Sequence, residues 1–308
     1  MSTSPTATPA FLRGLVDDAA IFPPGNAALD EALQANRTRW QRTPYAGIVG
    51  TFVVDDQRLP DLDETVRQAS KDGGPDVDDP LEVSVVVRGG AGAIEPAARW
   101  ATSGVLSPVA FEVALRDSAT GELAHNARRI VSAVDALRAG GVLGDGVPFY
   151  VEMPRLYGSP PTPDWFGALD ELAAAELRLK LRTGGEDADA FPAPHELAGC
   201  IDAALDRELP FKCTAGLHRA VRHTDGATGF DHHGFLNVLL GTRAALDGAS
   251  VDDVARVLAE EDAEALVDGL DPDGVTSARR WFRSFGSCSI DEPLADLQQL
   301  GLLPRQDT

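Results

Sequence analysis

An eightfold alternation of short apolar stretches with amphipathic helical ones is the feature that most constrains the fold of this sequence. The stretches predicted as strands cover residues 12–17, 46–54, 81–87, 109–115, 148–153, 177–182, 210–215 and 284–289. The predicted helices cover residues 27–41, 60–70, 94–103, 121–139, 163–175, 194–207, 234–247, 251–267 and 291–300. Eight strands, each followed by a helix, predict an α/β fold of the (β/α)8 or TIM-barrel type, with extra helices after the seventh strand.

The length fits one such domain. A chain of 308 residues can form a single barrel, which we expect over residues 11–303, preceded by a flexible tail at 1–10. The alternative is an open, doubly wound sheet, which would normally have a Gly-rich turn after its first strand. Residues 17–20 read Asp-Asp-Ala-Ala instead, so the barrel is the favoured architecture.

Composition excludes several classes of function. The net charge is −21, which argues against a nucleic-acid partner and against a basic membrane-binding patch. Three cysteines without metal-type spacing suggest a reducing compartment. The first residues are polar and do not have the pattern of a signal peptide. We therefore expect a cytoplasmic protein whose partner is a small molecule, and the oligomeric state stays open, a homo-oligomer included.

The use of lysine is unusual. Only three of the 27 basic residues are lysines, and two of them, Lys180 and Lys212, lie within predicted strands. Side chains of a strand alternate between its two faces. In the stretch LRLKLR the leucines form an apolar face, so Lys180 points the other way, into the barrel. The same argument turns Lys212, Glu112 and Glu152 inward from the seventh, fourth and fifth strands.

Four buried charges would be costly unless they are paired, so one interpretation is a set of interior salt bridges. Arginine is the better partner for a buried ion pair, however, and only lysine can lose its proton and form an imine with a carbonyl group. A second ammonium nearby disfavours charge on the first, and a carboxylate can move the protons. The pattern therefore predicts covalent catalysis by Lys180, with no cofactor.

The segments around the two lysines resemble a known family. Residues 180–184 read Lys-Leu-Arg-Thr-Gly, and residues 212–219 read Lys-Cys-Thr-Ala-Gly-Leu-His-Arg. Together with Glu112 on the fourth strand, they are similar to motifs of the deoxyribose-phosphate aldolase family of class I aldolases. In that family of barrels, the sixth strand carries the Schiff-base lysine, the seventh a second lysine and the fourth an acidic proton shuttle.

The resemblance covers the C-terminal two-thirds of the barrel and implies a role for each matching position. Lys180 would form the imine, Lys212 would depress its pKa, and Glu112 would relay protons. Glutamate replaces the aspartate that is usual on the fourth strand, and Ala215-Gly216 replaces a pair of glycines. These departures favour an aldolase-like lyase with a different substrate, which we expect to be a small, anionic or phosphorylated oxo compound.

Further residues at the predicted strand ends are candidates for binding that substrate. Aspartates after the first strand could bind a hydroxyl or amine, arginines could hold an anionic group, and Gly/Ser turns could present N–H groups to a phosphate. The aspartates could equally be a helix cap, and the arginines surface ion pairs. The predicted substrate-binding residues are Asp17, Asp18, Arg155, Arg182, Thr183, Gly184, Gly216, His218, Ser287 and Ser289.

Two other functions remain open at the level of sequence. The long segment after the seventh strand carries His218, His223, His232 and His233, which together with Asp17 or Asp18 could serve a metal-dependent barrel enzyme. Their spacing matches no compact ligand motif, so no metal ligand is predicted. The second alternative is a barrel that binds without catalysis, in which the four interior charges are structural pairs.

Overall fold

The computed structural model describes residues 8–41, 46–71, 80–116 and 122–304. Ten strands lie within them: β1 (Val16–Asp18), β2 (Val49–Asp55), β3 (Leu81–Val87), β4 (Leu106–Ala114), β5 (Phe149–Glu152), β6 (Arg178–Arg182), β7 (Phe211–Thr214), β8 (His223–Thr224), β9 (Asp231–His232) and β10 (Phe282–Ser287). Strands β1 to β7 and β10 are parallel neighbours in a closed barrel, in which β10 lies between β7 and β1. The predicted (β/α)8 barrel is confirmed.

Helices alternate with these strands, as the sequence predicted. Within the described residues they are α1 (Leu29–Gln41), α2 (Leu59–Lys71), α3 (Ile94–Ala101), α4 (Leu123–Ala139), α5 (Pro163–Ala174), α6 (Pro194–Leu205), α7 (Phe235–Leu246), α8 (Val251–Ala259), α9 (Ala263–Asp268), α10 (Pro272–Ala278) and α11 (Asp291–Gln299). None of the helices described here is long and apolar enough to cross a membrane. Of the tail predicted at 1–10, residues 1–7 lie outside the described residues, and Ala10 already begins a short 3-10 helix.

The first strand was predicted too early, at 12–17. The chain turns at Gly14, which has a φ of +56°, a conformation that an extended strand does not contain. Residues 10–12 therefore form the 3-10 helix, and the strand itself runs from Val16 to Asp18. The shift places Asp17 and Asp18 within β1, next to Gly286 and Ser287 of β10.

The extra helices after β7 also differ in detail from the prediction. The single helix expected at 251–267 is two helices, because Glu260 is extended and the Asp262 side chain caps a new helix by accepting hydrogen bonds from two backbone N–H groups. Helix α10 was missed, although Asp271 caps it and Pro272 follows, which is a standard start signal. Helix α8 packs against α6 and α7 outside the barrel.

Alternation within the barrel strands positions the site. Leu179 and Leu181 of β6 and Phe211 and Cys213 of β7 belong to the buried apolar core between strands and helices. The residues between them in sequence therefore point to the barrel interior. The long segment that follows β7 contains a small antiparallel hairpin, β8 and β9, which the sequence did not predict.

Candidate active site at the carboxyl ends of the strands

A cavity of about 1620 Å³ opens where the barrel strands end. It is lined by residues at or just after the ends of the strands and by the segment that follows β7. Lys180, Lys212 and Glu112 line it, although each is at most 4% exposed. Barrel enzymes carry their active sites at this end, so the position of the cavity is that of a candidate active site.

Strand register brings the interior charges together. Lys180 of β6 is paired with Lys212 of β7 on one side and with Glu152 of β5 on the other. Glu112 of β4 is paired with Tyr150 of β5, two residues before Glu152. The four ionisable residues predicted to converge from β4, β5, β6 and β7 thus face one interior space.

Glu112 is shared between the two lysines. Its Oε2 lies 2.7 Å from the Lys180 Nζ, and its Oε1 lies 2.6 Å from the Lys212 Nζ. All three side chains are at most 5% exposed. One carboxylate therefore separates two ammonium groups that would otherwise repel each other in a region of low dielectric.

Further ion pairs extend this arrangement in both directions. On one side, the Lys212 Nζ also lies 2.7 Å from Oδ2 of Asp17. On the other, the Lys180 Nζ lies 3.1 Å from Oε2 of Glu152, whose Oε1 accepts a 2.8 Å hydrogen bond from Arg182 Nε. We call the resulting set of alternating charges the charge chain; its members, in order, are Asp17, Lys212, Glu112, Lys180, Glu152 and Arg182.

Neutral groups also contact members of the charge chain, and sequence reasoning did not identify these groups. Ser84 donates a 2.7 Å hydrogen bond to Glu112, and Ser284 donates a 2.6 Å hydrogen bond to Asp17. The backbone N–H and the hydroxyl of Thr51 also donate to Asp17, and the Lys212 Nζ lies 5.4 Å above the ring of Tyr150. Ser84 gave a usable signal, because it interrupts an apolar strand (LEVSVVV) in phase with the inward face.

The pKa of Lys180 moves in the direction opposite to the one expected. Burial and the neighbouring Lys212 both act to lower it, but the carboxylates of Glu112 and Glu152 outweigh them and hold the pKa above its ordinary value. The expectation of a neutral amine at rest is therefore wrong for this arrangement. Lys180 is an ammonium group, because two carboxylates contact it and one lysine does not offset them.

Glu112, Glu152 and Lys212 are held in their charged forms as well. Burial acts to raise the pKa of Glu112 and Glu152, but the neighbouring cations reverse this and hold the pKa of both carboxyls below its ordinary value. Burial acts to lower the pKa of Lys212, and Asp17 and Glu112 reverse that, so its pKa lies well above the ordinary range. The two lysines and two glutamates at the centre of the charge chain are thus ionised, and their charges cancel.

The two aspartates of β1 point in different directions. Asp17 faces the interior and ends the charge chain. Asp18 is fully buried on the opposite face, where it accepts a 2.9 Å hydrogen bond from Asn36 and lies 3.4 Å from Arg39, both on α1. Burial raises the pKa of Asp18 despite these partners. The structure therefore does not bring Asp18 to the cavity, and Asp17 reaches it only through Lys212.

The two arginines predicted to bind an anion also differ. Arg182 lines the cavity, and its side chain is 40% exposed while it contacts Glu152. Arg155 does not line the cavity. Its guanidinium makes two hydrogen bonds to Glu196, of 2.8 and 3.2 Å, and a third to the Asp189 carbonyl. Arg155 joins the segment after β5 to α6 through an ion pair, as its alternative assumed, but the two side chains are only 10% and 7% exposed, so the pair is not on the surface.

The motif after Lys180 packs against the motif after Lys212. The backbone N–H of Thr183 already donates to the Thr214 carbonyl, and its hydroxyl donates to the Ala215 carbonyl at 2.6 Å. A Cβ on Gly184 would lie 2.7 Å from the Cα of Gly216. Of the predicted Thr183, Gly184 and Gly216, only Gly216 lines the cavity.

The turn after β10 is closed by its own hydrogen bonds. The Ser287 hydroxyl donates to the Ser289 carbonyl at 2.6 Å and accepts from the Ser289 N–H. Ser287 is buried, whereas Ser289 lines the cavity. Ser289 is therefore the residue of this predicted pair that could touch a ligand.

Three of the four clustered histidines line the cavity. His218, which follows β7, lies with Nδ1 3.2 Å from Oε2 of Glu292, and the ring centroids of His223 and His232 are 5.2 Å apart. His233 is fully buried, with Nε2 2.7 Å from the Pro192 carbonyl, and burial lowers its pKa to about 4. Within the described part of the chain, no three His, Cys, Asp or Glu side chains are grouped so as to hold a metal ion.

Comparisons of the sequence with protein-family models and with curated proteins gave no match. The cavity and the charge chain are therefore the features of the molecule that bear on its function.

Proposed function

We propose that the protein is an aldolase-type lyase that forms a Schiff base between Lys180 and a small oxo substrate. The observation that carries the proposal is the position of the Lys180 Nζ, which lies in the wall of the cavity between the carboxylates of Glu112 and Glu152, with a second lysine on the adjacent strand. A nucleophile, acid–base groups and a cavity at the carboxyl ends of the strands are the parts that such chemistry needs.

The charged resting state of Lys180 is compatible with imine formation. An ammonium group and a carbonyl compound give an iminium cation and water, so the reaction releases no net proton. The positive charge stays on the nitrogen, and the carboxylates that stabilise the ammonium stabilise the iminium in the same way. The charge on the Lys180 nitrogen is therefore the same before and after the substrate is attached.

Two protons of the ammonium group must reach the carbonyl oxygen: one passes from the nitrogen to the oxygen as the carbinolamine forms, and the other passes through a carboxylate. Glu152 is the better acceptor of the two carboxylates, because its side chain is 16% exposed and that of Glu112 is 2% exposed. Lys180 gives a proton to Glu152 and attacks the carbonyl carbon as a neutral amine. The resulting carbinolamine hydroxyl then receives that proton and leaves as water.

The same carboxylate can serve the carbon–carbon bond cleavage. A carboxylate takes the proton from the hydroxyl group β to the iminium carbon, and the bond between the α and β carbons breaks. Its electron pair forms an enamine with the nitrogen, and an aldehyde leaves. Every group that takes part in these reaction steps belongs either to the protein or to the substrate.

Borohydride trapping with a panel of small aldehydes and ketones tests the proposal. The chain has only three lysines, so peptide mapping of a reduced adduct is unambiguous. We expect the adduct on Lys180, its loss in Lys180→Arg and its retention in Lys71→Arg, a matched control because Lys71 is exposed at the end of α2. No adduct across the panel, or the same adduct in Lys180→Arg, would reject the Schiff-base function.

A non-catalytic binding barrel is the second candidate, and one observation favours it. Every member of the charge chain has a partner of opposite charge within 3.1 Å, which is also the arrangement expected of purely structural ion pairs. The trapping experiment separates the two functions, because a structural lysine that stays protonated gives no adduct with any carbonyl compound.

A further inference from the structure

The charge of the cavity differs from that of the whole chain. Its lining contains as many lysines and arginines as acidic residues, seven of each, whereas the chain as a whole has a net charge of −21. The outer surface therefore repels anions, and the cavity does not. The formal charges of the lining cancel, so an anionic ligand is attracted only where a cation of the lining is not offset by a carboxylate.

Arg116 differs from the other cations of the cavity in its contacts. Arg88, Arg182, Arg219 and Arg222 each contact a carboxylate, of Asp55, Glu152, Asp296 and Asp231 respectively. Both lysines do so as part of the charge chain. Among the described residues, no carboxylate contacts the guanidinium of Arg116, which instead donates a hydrogen bond to the backbone carbonyl of Arg88.

The contact with the Arg88 carbonyl holds the Arg116 guanidinium on the side of the cavity that Arg88 also lines. Arg88 directly follows β3, and Arg116 follows the end of β4 by two residues. The side chain of Arg88 is 53% exposed, so its single contact with Asp55 at 3.0 Å leaves donors available. Both residues line the cavity that also contains Lys180.

Strand register shows that these arginines lie near the level of Lys180. Val87 of β3 is paired with Val113 of β4, so Arg88 follows at the level of Ala114. Ala114 is paired with Glu152 of β5, and Glu152 is paired with Lys180 of β6. A ligand attached to Lys180 would therefore find the two arginines on the β3 and β4 side of the same opening.

We propose that Arg116, assisted by Arg88, binds a carboxylate or phosphate group of the substrate. This inference rests on the proposed function and specifies its substrate class: an oxo compound with an anionic group that contacts the β3 and β4 side while its carbonyl carbon meets Lys180. Planar guanidinium groups bind both anions through paired hydrogen bonds. Sequence reasoning assigned the anion to Arg155 and Arg182, and the structure gives each of these a carboxylate partner instead.

Binding measurements on the wild type and two variants of Arg116 test the inference. The probes are inorganic phosphate, acetate, glycolaldehyde phosphate, glyoxylate and uncharged glycolaldehyde, titrated by calorimetry into the wild type, Arg116→Gln and Arg116→Lys. We expect Arg116→Gln to weaken the binding of at least one anion about 10-fold or more, as removal of a charged hydrogen bond implies. The anion affinity of Arg116→Lys should lie between those of the wild type and Arg116→Gln. Uncharged glycolaldehyde should bind with the same affinity to all three proteins.

Arg129→Gln is the matched control, because Arg129 is an exposed arginine on the neighbouring helix α4 and does not line the cavity. Its affinities should equal those of the wild type. Loss of phosphate binding identifies a phosphorylated substrate, and loss of acetate and glyoxylate binding identifies a carboxylate. Equal anion affinities in the wild type and Arg116→Gln would overturn the inference.

The outcomes for the two proposals are distinguishable. If no borohydride adduct forms but Arg116→Gln abolishes the binding of phosphate or acetate, the anion site stands and the Schiff-base function fails. If adducts form on Lys180 with charged and uncharged probes alike, and Arg116→Gln changes neither adduct yield nor anion affinity, the Schiff-base function stands and the anion site is rejected.

Discussion

Lys180 and Lys212 lie opposite each other on adjacent strands, and both contact the same carboxylate. Two ammonium groups in a buried layer would repel each other strongly. Glu112 removes that repulsion by accepting a contact from each nitrogen through a different oxygen. The stability of the barrel interior therefore depends on Glu112, which together with Glu152 also keeps the candidate nucleophile protonated.

The first prediction concerns that glutamate. Glu112→Gln should lower the free energy of unfolding by about 3–5 kcal/mol, because removing one partner leaves buried charges uncompensated. Glu95→Gln is the control. It breaks a pair with Arg99 in which both side chains are about 60% exposed, so it should cost at most about 1 kcal/mol. Urea unfolding of both variants measures the difference, and equal losses would contradict the role assigned to Glu112.

The second prediction is a plateau of stability between acid and base. Neighbouring cations lower the pKa of Glu112 and Glu152, so their stabilisation is present above the ordinary glutamate pKa of 4.5 and is lost as pH falls through the pKa of the folded state. Carboxylates raise the pKa of Lys180 and Lys212. The stabilisation that these lysines contribute is therefore present below the ordinary lysine pKa of 10.5 and is lost as pH rises through their pKa in the folded state.

Unfolding in urea across a pH series measures this plateau. Other carboxylates in an acidic chain also contribute to acid unfolding, so the informative quantity is the difference between the wild type and Glu112→Gln. We expect that difference to shrink as pH falls below 4.5, because Glu112 then binds a proton in the unfolded chain while it is still ionised in the folded protein. A difference that is independent of pH would show that the cost of the substitution is not electrostatic.

The third prediction concerns the contact between the two lysine motifs. Gly216 has a φ of +76°, and a Cβ there would lie 2.7 Å from the Thr183 carbonyl oxygen and 2.9 Å from the Cα of Gly184. Gly216→Ala should therefore destabilise the protein by about 1–3 kcal/mol, through strain and backbone displacement. Gly226→Ala is the control, because its Cβ would meet nothing within 4 Å and no unusual φ is found there. Thermal unfolding compares the two, and equal midpoints would contradict the prediction.

Much of this architecture could be predicted from the sequence. The phase of the leucines in LRLKLR was enough to turn Lys180 inward, because period-two alternation in a barrel strand leaves a side chain only two directions. The eight strands followed from their spacing. The first strand was misplaced because its start depends on the conformation of Gly14, and apolar content alone does not reveal that conformation.

The electrostatics of the site could not be predicted in the same way. The sequence showed two lysines and two glutamates, but their order in the charge chain depends on which oxygen reaches which nitrogen. Asp17 of β1 contacts Lys212 of β7 only because closure of the barrel places β10 next to both β1 and β7. Without Asp17 and the central position of Glu112, repulsion between the lysines appeared to lower their pKa. In the structure the neighbouring carboxylates outweigh that repulsion and hold the pKa of both lysines above its ordinary value.

The last prediction separates the two glutamates by their roles, and it rests on the proposed Schiff-base function. Glu152 is the more exposed of the two and contacts both Lys180 and Arg182. Glu152→Gln retains a side chain of the same shape but cannot accept the lysine proton. The rate at which the borohydride-trapped adduct appears on Lys180 should therefore fall about 100-fold or more, which is typical for the loss of a general base.

The stability of Glu152→Gln should also differ from that of Glu112→Gln. Lys180 keeps Glu112 as a partner in Glu152→Gln, so the free energy of unfolding should fall less than in Glu112→Gln. Glu171→Gln, which alters a surface pair with Arg128, serves as the control for the rate. An adduct that forms in Glu152→Gln as fast as in the wild type would transfer the proton-accepting role to Glu112, whose two oxygens are the remaining carboxylate contacts of the lysine pair on this side of the barrel.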